Sequence, residues 1–481
     1  MPKTKIERVM QQVKAQIEQK AFIAGTRVPS VRQNAQQLGC SVSTVVEAYA
    51  RLVSAGILES RIGAGYFVCR PSTASALLAE REIAYKREID PLWISRQSLE
   101  ALDETLKPGC GWLPKEWMPE QAIRKALKLA AKSDSSLLLD YSIPHGHVPL
   151  RRYIARRREI YDAALNLQQI LITDSATQSI DLIFRHLLKS GDSILIDDPC
   201  YFNFKALIKA HGLNSIAVPF TKNGPDAACF KEALQHRPKL YLTNSGIHNP
   251  TGASLSLQTA YQIAKLAEQA GLYIIEDEIF SDFEYLPAPR YLTLMGPQRV
   301  IQIGSFTKTL SAAIRCGFIA AHEEMIDQLI DLKIATHFNS SSLNAEIIYH
   351  ALMDSSYLKH IEWLKKQLQK AMNDAVKKLE ALNIQPVALP KAGMFLWCKL
   401  PENIEAPKLS QLCLHKGVIL APGNSFSSAQ NAGQYMRFNV AQCIDKAVFD
   451  VLAEALREAQ RASPALNEPD AGLICQPSYS A

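Results

Sequence analysis

A single lysine, Lys308, stands just beyond a short apolar run in the string GSFTKTLSAAIRCGF, residues 304–318. A lysine at the end of a buried strand must find a counter-charge, shift its pKa or form a covalent bond. Schiff-base chemistry uses such a lysine, because only the neutral amine attacks a carbonyl. Ser305 and Arg315 add a hydroxyl and a forked cation, which together suit a phosphate. An aldehyde-reactive lysine beside a phosphate grip points to pyridoxal phosphate. From this stretch alone, a surface lysine in a loop of small residues reads equally well.

Further polar residues stand at the ends of other apolar runs. TDSATQS, residues 173–179, follows one run and opens a helical pattern, so backbone N–H groups near Ala176 and Thr177 could seat a phosphate. Tyr201 follows DDPC and could lay its ring on a flat cofactor, or simply sit in the core. Asn249, in HNPTG, reads first as a turn residue. Asp277 ends LYIIED, where a carboxylate can pair with a protonated pyridine nitrogen or cap a strand. Arg437, between Met436 and Phe438, calls for a bidentate carboxylate from a substrate or from the protein.

These residues need a scaffold that delivers them to one place. QILIT (169–173), SILIDD (193–198), SIAVPF (215–220), KLYLT (239–243), LYIIED (272–277), RVIQIG (299–304) and GFIAA (317–321) are short apolar runs, mostly separated by helical patterns. That alternation predicts a mostly parallel sheet covered on both faces, with its chemistry at the carboxyl ends of the strands. Residues 322–385 read as long helices, notably 361–382. KAGMFLWCKL, GVILAPG and YMRFNV are strand candidates of a smaller C-terminal α+β subdomain from about residue 335. Residues 466–481 lack periodicity and read as a loose tail.

The chain has 481 residues, enough for two or three domains. Its formal charge of +6 is concentrated: residues 1–70 hold ten Lys/Arg against four acids, and the remainder is balanced. A small basic segment on a neutral body suggests a nucleic-acid module, or else a basic solvated face. Helical spacing of Ile6, Val9, Met10, Val13 and Ile17 predicts a first helix. Ser30 to Leu38 predicts a second, and Ser41 or Ser43 can cap a third carrying Val45, Val46, Tyr49, Leu52 and Val53. ILESR and YFVCR alternate around IGAG as a hairpin, which completes a winged helix-turn-helix plan. Residues 71–105 read as a tether, with possible helices over 76–86 and 99–106. No apolar run is long enough to span a bilayer, and the first residues lack a signal-peptide core. Ten scattered cysteines without CxxC spacing signal neither a metal site nor a disulfide framework. A cytoplasmic protein is the expectation.

GTRVPSVRQNAQQLGCSVSTVVEAYARLVSAGILESRIGAGYFV, residues 25–68, resembles the GntR-type winged helix. The resemblance implies that Arg32, Ser43 and Thr44 contact DNA phosphates or base edges. It implies that Arg61, Gly63 and Gly65 set the wing beside the minor groove. Val42 and Val46 stand where some relatives carry base-reading arginines, so the sequence preference departs from theirs. Over residues 106–460, the order S-A-T, D-P-C-Y, N-P-T-G, E-D-E-I-F, S-F-T-K and M-R-F resembles the class I/II aminotransferase-like proteins of pyridoxal-phosphate fold type I.

That second resemblance implies that Lys308 forms the internal aldimine and Asp277 holds the pyridine nitrogen. Asn249 would bond the ring oxygen, and Tyr201 would stack on the ring. Ala176, Thr177, Ser305 and Arg315 would hold the phosphate, and Arg437 would take the α-carboxylate of an amino acid. YSIPHGHVPLRRYIA resembles a segment whose tyrosine, here Tyr141, reaches the phosphate of a neighbouring subunit, implying a homodimer. Phe280 replaces a common ring-oxygen tyrosine, and its missing hydroxyl would slow transamination.

The two parts together resemble the MocR subfamily of bacterial transcription regulators. On that likeness residues 1–70 bind double-stranded promoter DNA, 71–105 link, and the 106–465 body dimerises and senses an amine or amino acid. The alternative is a working aminotransferase with an appended winged helix.

Overall fold

The structure is a computed structural model that describes residues 4–18, 21–61, 63–69, 92–102, 104–159 and 164–461. The chain divides into two compact units, Met1–Arg87 and Glu88–Ala481.

In the first unit three helices, Lys5–Glu18, Val31–Leu38 and Val42–Ser54, precede an antiparallel hairpin of β1 (Leu58–Arg61) and β2 (Gly65–Val68). Ser30 caps the second helix in a capping box with Gln33, and Gly39 ends it in the left-handed region at φ 58°. Ser41 caps the third helix by accepting from the Thr44 amide. Val9, Val13, Val45, Ala48, Tyr49 and Leu52 interlock with Leu58 and Val68 of the hairpin. The buried Tyr49 hydroxyl donates to the Pro29 carbonyl and accepts from Asn34, which leaves no polar atom of that pair stranded. Val46, one of the apolar residues of the third helix, lies on its outer face at 45% exposure.

All seven apolar runs of the second unit form strands: β3 (Ile170–Thr173), β4 (Ser193–Asp198), β5 (Asn214–Thr221), β7 (Leu240–Thr243), β8 (Tyr273–Asp277), β9 (Val300–Ser305) and β10 (Gly317–Ala320). A two-residue β6 (Gly224–Pro225) adds an edge, and the sheet order is β3-β10-β9-β8-β7-β4-β5-β6. β10 runs antiparallel to both neighbours, so β3, β4, β7, β8 and β9 all end at the same edge. Their side chains are buried on both faces, as continuous branched-apolar runs require.

Helices Glu323–His337, Ser342–Met353 and Ser356–Glu380 lead into a second, antiparallel sheet of β11 (Gln385–Pro386), β12 (Phe395–Lys399), β14 (Tyr435–Asn439) and β13 (Ala421–Pro422). The expected 76–86 helix and the tail from 466 lie outside the described residues. The other tether helix differs from expectation. It runs Trp93–Glu100, not 99–106, because Trp93, Ile94 and Ser98 pack inward while Leu99 points out at 74% exposure. Leu106 instead bridges to Val418.

Candidate functional site

Five strand ends, the loop Cys110–Trp112 and the helix Trp93–Glu100 meet around a cavity of about 160 Å³. Lys308 lines it just past β9, and its Nζ donates to the Gly111 carbonyl at 2.7 Å. Burial pulls the ammonium down to about 8, with the Arg437 and Arg315 charges adding to the effect against Cys110 and Asp277. Asp277, the last residue of β8, is buried, and burial pushes its carboxyl up to about 7. Its Oδ1 accepts from the Ile279 amide, and no described cation pairs with it.

At another side of the cavity, Ser175 caps the helix Ala176–Leu187, so the free N–H groups of Ala176 and Thr177 open toward the pocket. Ser305 donates to the Cys316 carbonyl at 2.9 Å. Arg315 is exposed, lines the cavity and makes no ion pair with any described residue. Gly317 lies behind the helix start. A Cβ there would come within 2.7 Å of the Ser175 carbonyl carbon and 3.0 Å of the Ala176 nitrogen.

Tyr201 follows β4 and lines the cavity, with burial raising its phenol. Asn249 also lines it, and its Oδ1 accepts from Arg437 Nη1 at 2.8 Å. Arg437 is fully buried, donates Nη2 to the Gly109 carbonyl at 2.6 Å, and stacks its guanidinium over Phe395 and Phe426. Its Nε has no hydrogen-bond partner, and no described carboxylate neutralises it. Burial lowers its pKa to about 10.

The structure thus brings Lys308, Asp277, Asn249, Tyr201, Ala176, Thr177, Ser305 and Arg315 to one cavity, with Arg437 joined through Asn249. Tyr141 is not among the lining residues. It is 80% exposed and leans on Phe338 with ring centroids 4.6 Å apart. Phe280 is buried edge-on against Phe395, and Lys308 Nζ lies 5.7 Å from its ring centre. Sequence reasoning missed the loop Cys110–Trp112, Asn244 and the helix residues Ile94, Ser95 and Ser98. Asn244 follows β7 and could have been found by the strand-end rule. The others carry no local signal.

Pyridoxal 5'-phosphate fits these residues on their own chemistry. The Asp277 carboxylate, the one acid among the lining residues, suits a cationic ring nitrogen, the helix start with Arg315 suits a phosphate, and the softened Lys308 amine suits an aldehyde.

In the first unit, Arg32 is exposed and free of ion pairs with described residues. Ser43 and Thr44 are drawn into the helix cap, with their hydroxyls 3.0 and 2.7 Å from Ser41 Oγ. Arg61, at the hairpin wing, pairs with Glu59 and covers the Phe67 ring at 4.3 Å. Gly63 and Gly65 take φ of 74° and 102°, the left-handed turn of the hairpin that side chains disfavour. Val42 and Val46 are 48% and 45% exposed, one helical turn apart.

Residues 114–456 match the family described as aminotransferase class I and II, and the chain belongs to that family. Residues 5–68 match the bacterial regulatory proteins of the gntR family, which gives the chain the two-part layout of the MocR subfamily. An uncharacterized HTH-type transcriptional regulator, YdfD of Bacillus subtilis (strain 168), is 27% identical over 91% of this chain and 92% of its own. The HTH-type transcriptional regulator NorG of Staphylococcus aureus (strain USA300) is 27% identical over 84% and 94%. In fold, the chain is similar to LysN, an α-aminoadipate aminotransferase of Thermus thermophilus solved with N-(5'-phosphopyridoxyl)-L-leucine. That likeness has a TM-score of 0.70 at 22% identity, over 81% of this chain and 99% of that one. An archaeal alanine:glyoxylate aminotransferase matches with a TM-score of 0.71 at 22% identity, over 80% and 99%.

Proposed function

We propose that this protein is a pyridoxal-phosphate-dependent, DNA-binding transcription regulator of the cytoplasm. Its body forms a homodimer and senses an amine or amino acid at Lys308. Relatives named as HTH-type regulators align along nearly their whole length, which supports the regulatory half. The sensing half is carried by one observation: Asp277 and Arg315 line a single cavity with Lys308, Arg437 reaches it through Asn249, and none of the three has a counter-ion among the described residues. Charges left this way are stabilised by a ligand of complementary charge. A cofactor, a phosphate and a carboxylate would meet the three needs.

When bound, pyridoxal phosphate supplies an aldehyde that condenses reversibly with primary amines. The chain would supply the rest. Asp277 would keep a proton on the ring nitrogen, Asn249 would donate to the ring oxygen, and Tyr201 would cover the ring. The Ala176 and Thr177 amides, Ser305 and Arg315 would hold the phosphate. Arg437, already oriented by Asn249 and Gly109, would clamp an α-carboxylate without further ordering. Lys308 would hold the cofactor until an incoming amine takes its place. A sensor acts only if that exchange favours one arrangement of the body over another.

The exposed side chains of Leu138, Leu139, Tyr141, Ile143 and Phe338 support the dimer. They lie on neighbouring segments, since Ser142 bonds the Ser340 carbonyl and Ser342 that of Leu137. An apolar surface of this kind marks a protein contact.

A working aminotransferase is the second reading, favoured by the near-complete cofactor site. Phe280 argues against it, because the buried ring offers no hydroxyl to the cofactor. The visible absorption spectrum of the protein with added cofactor separates the readings. A band that one compound shifts persistently is the expected sensor result. A band that one compound abolishes and an oxo acid restores would establish turnover instead. Lys308→Ala should carry no cofactor fixed by borohydride. Undiminished fixation in that variant would remove Lys308 from its role.

A further inference from the structure

The helix Trp93–Glu100 is the first described element of the second unit, and it forms part of the cavity wall. Trp93 and Ile94 anchor it, 2% and 1% exposed, against a cluster that includes Phe202, Trp397, Ile419 and Phe426. The same helix turns Ile94, Ser95 and Ser98 toward the cavity. Ser98 is 2% exposed, and its hydroxyl has no hydrogen-bond partner. A buried hydroxyl without a partner is unfavourable, and native proteins retain few of them.

The position of Ser98 tells which end of the cavity it serves. Phe202 and Phe426, on which its helix packs, also lie around the Arg437 guanidinium, at 5.9 and 4.8 Å. The phosphate seat at Ala176, Thr177 and Arg315 is built from other elements. Ser98 therefore belongs to the end where Arg437 would hold a carboxylate. Asn244, the other lining residue with a partnerless buried side-chain atom, is instead tied through Nδ2 to the Asp277 carbonyl at 3.3 Å.

We propose that Ser98 is a specificity residue for the ligand of this pocket, hydrogen-bonding a hydroxyl or carboxamide carried by the incoming amine or amino acid. The ligand class is then a small polar amine or amino acid, with its amino group at Lys308 and a second polar group at Ser98. The cavity is otherwise lined in part by apolar residues such as Ile94, Ile279 and Phe280, so an apolar analogue would leave the hydroxyl without a partner again. A pocket that must leave a polar group unpaired rejects such analogues strongly. The proposal rests on the reading of this cavity as a pyridoxal-phosphate site that takes amines. It adds that the segment entering from the DNA-binding end of the chain touches the ligand directly.

The full-length protein carrying its cofactor would be titrated, by its visible band, with ligand pairs that differ in one polar group. Suitable pairs are L-homoserine and L-2-aminobutyrate, L-serine and L-alanine, L-glutamine and L-norvaline, and ethanolamine and ethylamine. At least one pair should favour the polar member by about tenfold or more. Ser98→Ala should cut that ratio to about threefold or less, while Ser98→Thr keeps it. The cofactor band of each variant reports that the pocket is folded. An unchanged ratio in Ser98→Ala, a preference for the apolar members, or a band that no pair perturbs would overturn the assignment of Ser98. A protein that takes up no cofactor at all would overturn the underlying reading of the cavity as well, and so separates the two failures.

Discussion

The same enclosure shifts Lys308 and Asp277 in opposite directions. Burial disfavours both charged forms, so the amine falls to about 8 and the carboxyl rises to about 7. The amine must be neutral to attack an aldehyde, and the neutral fraction grows as pH rises through about 8. The rate of cofactor uptake should therefore climb roughly tenfold per unit between pH 6 and 7.5 and level off above about 8.5. Asp277 gains its charge in the same window. It raises the proton affinity of Lys308 and broadens the climb without reversing it. Stopped-flow absorbance checks this. A rate still rising steeply at pH 10 would mean an ordinary solvated lysine.

At the scale of elements, the proposed phosphate seat depends on how closely β10 and the helix Ala176–Leu187 approach one another. Gly317 allows that approach because a side chain would strike the backbone at Ser175 and Ala176. Gly317→Ala should push the helix start away from the pocket, at a cost of about 1–3 kcal/mol. Cofactor affinity should fall about tenfold or more, with circular dichroism unchanged. Retained affinity would show that the helix start does not hold the phosphate. The outer face of Val42–Ser54 poses the corresponding question for DNA. Its two exposed valines would offer methyl groups to thymine in place of an arginine's hydrogen bonds to guanine.

For the whole molecule, the basic excess and the cofactor chemistry belong to different compact units. Deleting residues 1–70 should abolish DNA retention in a gel while the cofactor band and the dimer remain. Leu139→Asp in the full chain should have the reverse emphasis. It places a charge in the exposed apolar patch and should yield a monomer by sedimentation, since burying an unpaired carboxylate costs several kcal/mol. A truncated protein that still shifts DNA, or a Leu139→Asp dimer, would refute the respective assignment.

Local pattern by itself determined a good part of this protein. The seven apolar runs, the capped helices of the first unit, and the polar residues at strand ends all follow from short-range period and turn chemistry. A strand ends where its apolar run ends, so the order of residues alone places Asp277, Tyr201 and Lys308 at one edge of a sheet. Tertiary structure alone decided the rest, because the contacts involved join distant parts of the chain. Gly111 meets Lys308, and Gly109 meets Arg437, across hundreds of residues with no periodic trace. Which face of a helix is buried is likewise settled by what packs against it. That is why Val46 lies outside the core, why the tether helix runs 93–100, and why Ser98 lines the cavity.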